Sequence, residues 1–281
     1  MVLRPLRSVT VSPTAEKLYD AWLAELGERL ADPSVDRSVL ARDLLYDLQW
    51  PGHGAYADRL ADPATPLTQR VALLGLDPRS VTLEAEYYAD VDAAKFAAVK
   101  PLLWLWYGFD RSPLGGQEVH LGIRFRRLLA EHVFARCGKN FKCFQHVEVS
   151  FGYNLEVGDD VVIHRHVLLD DRGGISLGDR VSISDYANIY SHTHSIVDQK
   201  DVTNVRTILE DDVRVTYHAT VLAGVRVGRN AMVGANAVAT KDVRPYHVNV
   251  GIPAKSVRVK PNAPPESYES ERAHRRTDER R

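Results

Sequence analysis

The chain has 281 residues, enough for one large domain or two modest ones, and its 44% hydrophobic content supplies a core. Its 36 basic and 37 acidic side chains nearly cancel, so no global field draws it to nucleic acid or to an anionic membrane. The two cysteines, Cys137 and Cys143, have no metal-ligand spacing, and the longest apolar run, 101–109, falls far short of the roughly 18 residues of a membrane span. Without an apolar leader at the start of the chain, reduced thiols and a cytoplasmic location are expected.

Ser12 followed by Pro13 signals a helix start, because serine caps and proline tolerates the first helical position. Leu18, Trp22, Leu26 and Leu30 then recur at helical spacing. Helical patterns continue over 39–48 and 66–74, separated by a turn at Trp50, Pro51 and Gly52. The cluster Leu102, Leu103, Trp104, Leu105, Trp106 and Tyr107 has the composition of a core rather than of a sugar platform or membrane anchor. Leu121, Phe125, Leu128, Leu129 and Val133 form a further amphipathic helix, predicted to end at Gly138 as its C-cap residue. These signals predict a helical domain over 1–120, then a helix and connection over 121–146.

From Val157 the pattern changes to a period of six, which is neither helical nor simply alternating. Val157, Ile163 and Leu169, then Leu177, Ile183 and Ile189, make two sets, with about two extra residues near 171–174. The cleanest block runs Leu209, Val215, Val221, Val227, Val233 and Ala239. Four residues after each stands an alanine or valine, namely Val213, Ala219, Val225, Ala231, Ala237 and Val243. Gly228 and Gly234 directly follow apolar positions, where a tight turn uses a residue without Cβ. Each unit reads as a short strand plus a corner, with three units to a triangular coil and stacked coils sharing one interior. The predicted β-helix spans 147–260, with a projecting loop at 195–207 where the register breaks. The stretch 261–281 is dense in charge, proline and serine and is expected to be a disordered tail.

These hexads resemble the hexapeptide-repeat acyltransferases, in particular the galactoside and maltose O-acetyltransferase group, over roughly 125–260. The motifs carrying the resemblance are Ile189-Tyr-Ser-His-Thr-His-Ser195 leading into the loop, Val233-Gly-Ala-Asn-Ala-Val-Ala-Thr-Lys-Asp242, and Gly251-Ile-Pro-Ala-Lys255, which closes the last coil. The resemblance implies a left-handed parallel β-helix, a hand that physical argument does not supply because parallel crossovers are normally right-handed. It further implies a homotrimer with active sites at subunit interfaces. Acetyl-CoA, or another short acyl-CoA, is the implied co-substrate, a sugar or glycan the acceptor, and no metal is required.

By the same resemblance, His194 falls on the catalytic base, a role suited to imidazole because a sugar hydroxyl is a poor nucleophile until its proton is taken. His192 is the competitor, or a residue that orients substrate. Asp171 aligns with an acceptor-site aspartate, and His166 takes the place of an asparagine that contacts acceptor in the galactoside enzymes. The pair Asp170 and Asp171 before Gly173 and Gly174 also reads as a plain polar turn. Ala235, Thr240 and Lys241 match coenzyme-contacting positions, with Arg214 where relatives carry tryptophan and Tyr217 close by. Three other readings share the repeat. One is a metal hydro-lyase resembling the hexapeptide-repeat carbonic anhydrases, with His192, His194 and His218 as ligands across an interface. Another is a serine O-acetyltransferase or amino-sugar N-acyltransferase, and the third a silent scaffold.

Overall fold

The computed structural model describes residues 9–268, and they fall into two compact units. One combines the chain up to Val81 with Pro101–His132; the other combines Thr82–Lys100 with the chain from Val133 onward.

The first unit is helical, with α1 (Pro13–Ala31), α2 (Arg37–Gln49), α3 (Tyr56–Ala61), α4 (Leu67–Leu74), most of α5 (Ala93–Asp110) and most of α6 (His120–Val133). The Ser12 hydroxyl accepts from the Ala15 N–H at 3.2 Å, with Pro13 opening α1, as the sequence signal requires. Leu26 and Leu30 are buried, but Leu18, at the start of the same stripe, is exposed. The Trp/Leu cluster is core: Leu102, Leu103, Leu105 and Trp106 are buried in α5, and the Trp104 indole N–H donates to the Gly75 carbonyl at 3.0 Å. α6 ends at Val133, short of Gly138, which instead belongs to the first coil of the second unit.

The second unit is a parallel β-helix with three faces, matching the architecture expected from the hexads. The first face carries Arg136–Cys137, Leu155–Val157, Ile175–Leu177, Thr207–Leu209 and Arg226–Val227. The second carries Lys142–Cys143, Val162–Ile163, Ser182–Ile183, Arg214–Val215 and Met232–Val233, followed by His247–Val250 and the antiparallel Lys255–Val259. The third carries Glu148–Val149, Leu168–Asp170, Asn188–Tyr190, Thr220–Val221 and Val238–Ala239. The parallel coils therefore begin at Arg136, upstream of the expected start at residue 147. The apolar hexad positions stack in register, Cys137 on Val157, Val157 on Leu177, Leu177 on Leu209 and Leu209 on Val227. The alanines and valines four residues on are interior as well, with Val213, Ala219, Ala231 and Ala237 all fully buried.

Corners between the first and second faces, and between the second and third, are turned by residues in the left-handed region, among them Asn140, Asp160, Arg180 and Asp212, then His146, His166, Tyr186 and His218. Gly228 and Gly234 are not the positive-φ residues that a tight turn would ask for; they follow the apolar position where one coil runs against the next. A Cβ on Gly228 would lie 2.6 Å from the Pro245 nitrogen, and one on Gly158 would lie 2.7 Å from the Gly178 carbonyl carbon. The tail expected to be disordered begins with structure: the Tyr268 hydroxyl donates to the Lys260 carbonyl at 2.9 Å, and 269–281 lie outside the described residues.

Because the Gly178 backbone, together with the Asp179 carboxylate, opposes Gly158, Gly158→Ala is expected to cost about 1–3 kcal/mol in urea unfolding. Gly27→Ala within α1, where the new Cβ meets Leu128 at an ordinary 3.7 Å, is expected to be neutral or to stabilise by up to about 1 kcal/mol.

Candidate active site

The edge between the third and first faces is where the repeat is interrupted. The projecting segment is a β-hairpin: His192–His194 pairs antiparallel with Val202–Asn204, placing His192 opposite Asn204 and His194 opposite Val202. Its base is closed by the Val205 N–H donating to the Ser191 carbonyl at 2.8 Å, and its tip by the Ser195 N–H donating to the Asp201 carbonyl at 2.9 Å. The base also presses on the coil below. A Cβ on Gly173 would sit 2.1 Å from the Ser191 carbonyl oxygen and 2.5 Å from the Val205 nitrogen. With hydrogen in that place, the Gly173 N–H donates to the Ser191 hydroxyl at 2.8 Å, and that hydroxyl donates to the Asp170 carbonyl. Gly173 is thus required by close approach, beyond what a plain polar turn would ask.

The two imidazoles of the hairpin stand 5.2 Å apart at 80°. His194 is exposed, and its Nδ1 lies 2.8 Å from the Gln199 carbonyl oxygen. A carbonyl only accepts, so Nδ1 carries the hydrogen and Nε2 of the neutral ring presents its lone pair to solvent. His192 is half-buried, and its Nδ1 is held by the carboxylate of Asp170. Asp170 is itself buried and also accepts from the Ser150 hydroxyl at 3.1 Å.

Its neighbour Asp171 serves the fold. It has no exposed surface, and its oxygens accept from the backbone N–H groups of Phe151 at 2.7 Å and Asn154 at 3.1 Å, fixing the corner of the preceding coil. Burial pushes its carboxyl up to about 6 despite those donors. The expected acceptor contact at Asp171 therefore has no open face, and the carboxylate that reaches the hairpin is Asp170. His166 likewise lies away from the hairpin. It turns the corner between the second and third faces, its ring stacked between His146 at 4.9 Å and Tyr186 at 4.8 Å; Tyr186 in turn stacks on His218. For the same reason His192, His194 and His218 do not converge within one chain. Among the described residues no group of three or more His, Cys, Asp or Glu is arranged to hold a metal ion.

The residues matched to the coenzyme divide between two edges. Thr240 and Lys241, both exposed, follow Val238–Ala239 and share the hairpin's edge, two coils further along. Arg214 lies on the second face, and Tyr217 and Ala235 at the corner after it; these three are also exposed.

Several residues at the hairpin escaped the sequence reading. Asp90, from the segment ahead of the coils, accepts from the Asn204 amide at 2.7 Å and from Arg172 at 3.0 Å. Arg172, buried, stacks its guanidinium 4.0 Å over the Tyr88 ring. The hydrogen bond to Glu84 holds the Tyr88 phenol up at about 12, so it remains protonated under this cation. Burial alone would raise the Asp90 carboxyl, but the Asn204 amide and the Arg172 guanidinium outweigh it and hold the group below the usual range. Only Gly173 left a trace in the sequence, as a doubled glycine at a register break; nothing marks Asp90.

No family model matches the chain. In sequence it is 25% identical over 137 residues to the galactoside O-acetyltransferase of Escherichia coli (strain K12), covering 47% of this chain and 68% of that one. In structure it is similar to a maltose O-acetyltransferase from Clostridium difficile 630, with a TM-score of 0.54 and 23% identity over 62% of this chain and 91% of that one. It is also similar to a hexapeptide-repeat acetyltransferase from Vibrio cholerae O1 biovar eltor, solved with acetyl coenzyme A, with a TM-score of 0.52 and 23% identity over 65% and 98% of the two chains. The resemblance to the hexapeptide-repeat acetyltransferases thus holds in sequence and in fold.

Asp171 offers a test by pH. Its folded pKa of about 6 lies above the 3.8 of an unconstrained aspartate, so its contribution to stability is complete below 3.8 and is lost as pH rises through about 6. Asp171→Asn removes that titration. The unfolding free energy of the wild type relative to the variant should fall by at most about 3 kcal/mol between pH ~4 and pH ~7, measured by denaturant titration.

Proposed function

We propose that the protein is an acyl-CoA-dependent O-acyltransferase that moves an acetyl or other short acyl group to a hydroxyl of a sugar or glycan, with His194 as general base. The observation that carries this reading is an exposed imidazole whose Nδ1–H is spent on a backbone carbonyl, at the point where the β-helix throws out its hairpin. His194 Nε2 takes the proton of the acceptor hydroxyl as its oxygen attacks the thioester carbonyl. The C–S bond breaks, and the departing thiolate recovers that proton from the imidazolium, leaving an ester and a free thiol.

Acetyl coenzyme A in the Vibrio cholerae relative, and the sugar acetyltransferases among the other relatives, support this choice of donor and acceptor. Lys241, a point charge at the hairpin's edge, suits a phosphate of the donor. Arg214 on the second face, with Tyr217 and Ala235 at the corner after it, lies apart from the hairpin's edge, a division that suits a site shared between subunits of a homotrimer.

A second reading has its own observation. The buried carboxylate of Asp170 on Nδ1 equips His192 as a base through its Nε2, with Asp170 stabilising the cation that forms.

Thiol release from acetyl coenzyme A against a panel of sugars, oligosaccharides and serine tests the activity. His194→Ala should lower kcat by about 10²–10⁴-fold, and His192→Ala by less. The reverse order would transfer the role of base to His192, and full turnover by His194→Ala would remove His194 from the chemistry.

A further inference from the structure

We infer that Asp90 is a positioning residue for the imidazoles of the hairpin, bridging from outside the coils the two supports on which His192 rests. The inference rests on the acyl-transfer reading for its effect on rate, while the tie itself stands on geometry alone.

His192 is located by two things, its strand partner and its carboxylate partner. The strand partner is Asn204, directly opposite in the hairpin register. The carboxylate partner is Asp170, two residues before Arg172. Asp90 holds both sides at once: its Oδ2 accepts from Asn204 Nδ2 at 2.7 Å, and its two oxygens accept from Arg172 Nη2 at 3.0 and 3.2 Å. Arg172 cannot swing away easily, since its side chain is only 5% exposed and packs on Tyr88. The bridge is thus a charge-assisted fork on one side and an amide bond on the other.

The segment carrying Asp90 is seated independently. The Asp92 N–H donates to the Tyr153 hydroxyl at 2.9 Å, and Lys100 pairs with Glu86 at 2.9 Å. Asp90 therefore transmits a fixed position. The hairpin has need of one, because a two-stranded ribbon is marginal by itself and Ile196 and Val197 at its tip bury almost nothing. Displacement of a catalytic group by about 1 Å is enough to cost about 10²-fold in rate.

The test uses the full-length protein with Asp90→Ala, Asp90→Asn, Asn204→Asp and the double variant Asp90→Asn/Asn204→Asp. Three quantities are read: hydrogen exchange over 192–205, the ring proton signals of His192 and His194, and kcat and KM for acetyl coenzyme A. Asp90→Ala should speed hairpin exchange by about 10-fold, move the histidine ring signals and lower kcat by about 10–100-fold, with KM changed less than about 2-fold, all read well below an unfolding midpoint that the unpaired Arg172 lowers. Asn204→Asp, which sets two carboxylates face to face, should act likewise, and the double variant, which restores a donor opposite an acceptor, should recover part of the loss. Unchanged exchange and ring signals in Asp90→Ala would overturn the tie. Altered exchange with full kcat, or losses that track global unfolding, would overturn the positioning role. If the wild type transfers no acyl group to any acceptor, the acyl-transfer reading fails, while exchange and ring signals still decide whether Asp90 holds the imidazoles.

Discussion

Each coil of the β-helix can exist only because the coil beneath it covers its interior. A six-residue unit buries an apolar side chain and a small one, and neither has a partner within its own turn. Val157, Leu177, Leu209 and Val227 therefore form a column in which every member supplies the packing of the next. This demand fixes the register of every rung, since a slip of one residue would turn the column outward. It also concentrates variation at the corners, where extra residues leave the interior undisturbed. The intervals from Cys137 to Val157 and from Val157 to Leu177 each absorb a small bulge at the edge between the third and first faces, and the interval to Leu209 absorbs the whole hairpin. The hairpin that carries His192 and His194 stands where the architecture tolerates insertion.

That distribution explains what could be read in the sequence. The interior columns obey a strict period, so the apolar positions from Val157 to Ala239 were legible, and nearly all of them are fully buried. The first coil was not, because Cys137, Cys143 and Val149 follow directly on a helix that ends at Val133, leaving no turn signal before Gly138. Corner glycines were legible as glycines but not for their reason. At Gly228 the constraint is Pro245, and at Gly234 it is Val250 with the Asn249 carbonyl, neighbours one coil away that no local pattern records. His166, aligned with an acceptor contact, stands in a ladder of rings along the corner that also carries Tyr217 and Ala235, a placement the hexads do not reveal.

Asp170 and Asp171 show where a one-residue question defeats sequence reasoning. They are adjacent, the same residue type and both buried, yet one turns to the hairpin above and the other to the corner below. The extra residues at this corner blur the register by just the amount needed to confuse them. Geometry separates them at once: Asp171 spends its oxygens on backbone N–H groups, as a structural carboxylate does, and Asp170 spends one on an imidazole. A carboxylate's work is set by which donors converge on it, and those donors come from coils about 20 residues apart in sequence.

The least legible part of the site is the one farthest from the repeat. A hairpin thrown out of a β-helix gives up the coverage that makes the coils rigid, so its orientation has to be supplied by attachments. Below, the base of the hairpin, Ser191 and Val205, seats on Gly173; beside it, Asp170 grips His192; outside, Asp90 reaches Asn204 and Arg172 together. The first two attachments come from neighbouring coils and belong to the repeat. The third comes from a segment ahead of the coils that shares no pattern with them, and its charge becomes meaningful only when Arg172 is packed between it and Tyr88. The segment Thr82–Lys100 thus has a physical reason to travel with this β-helix: it restores to the hairpin the fixity that leaving the coil removed.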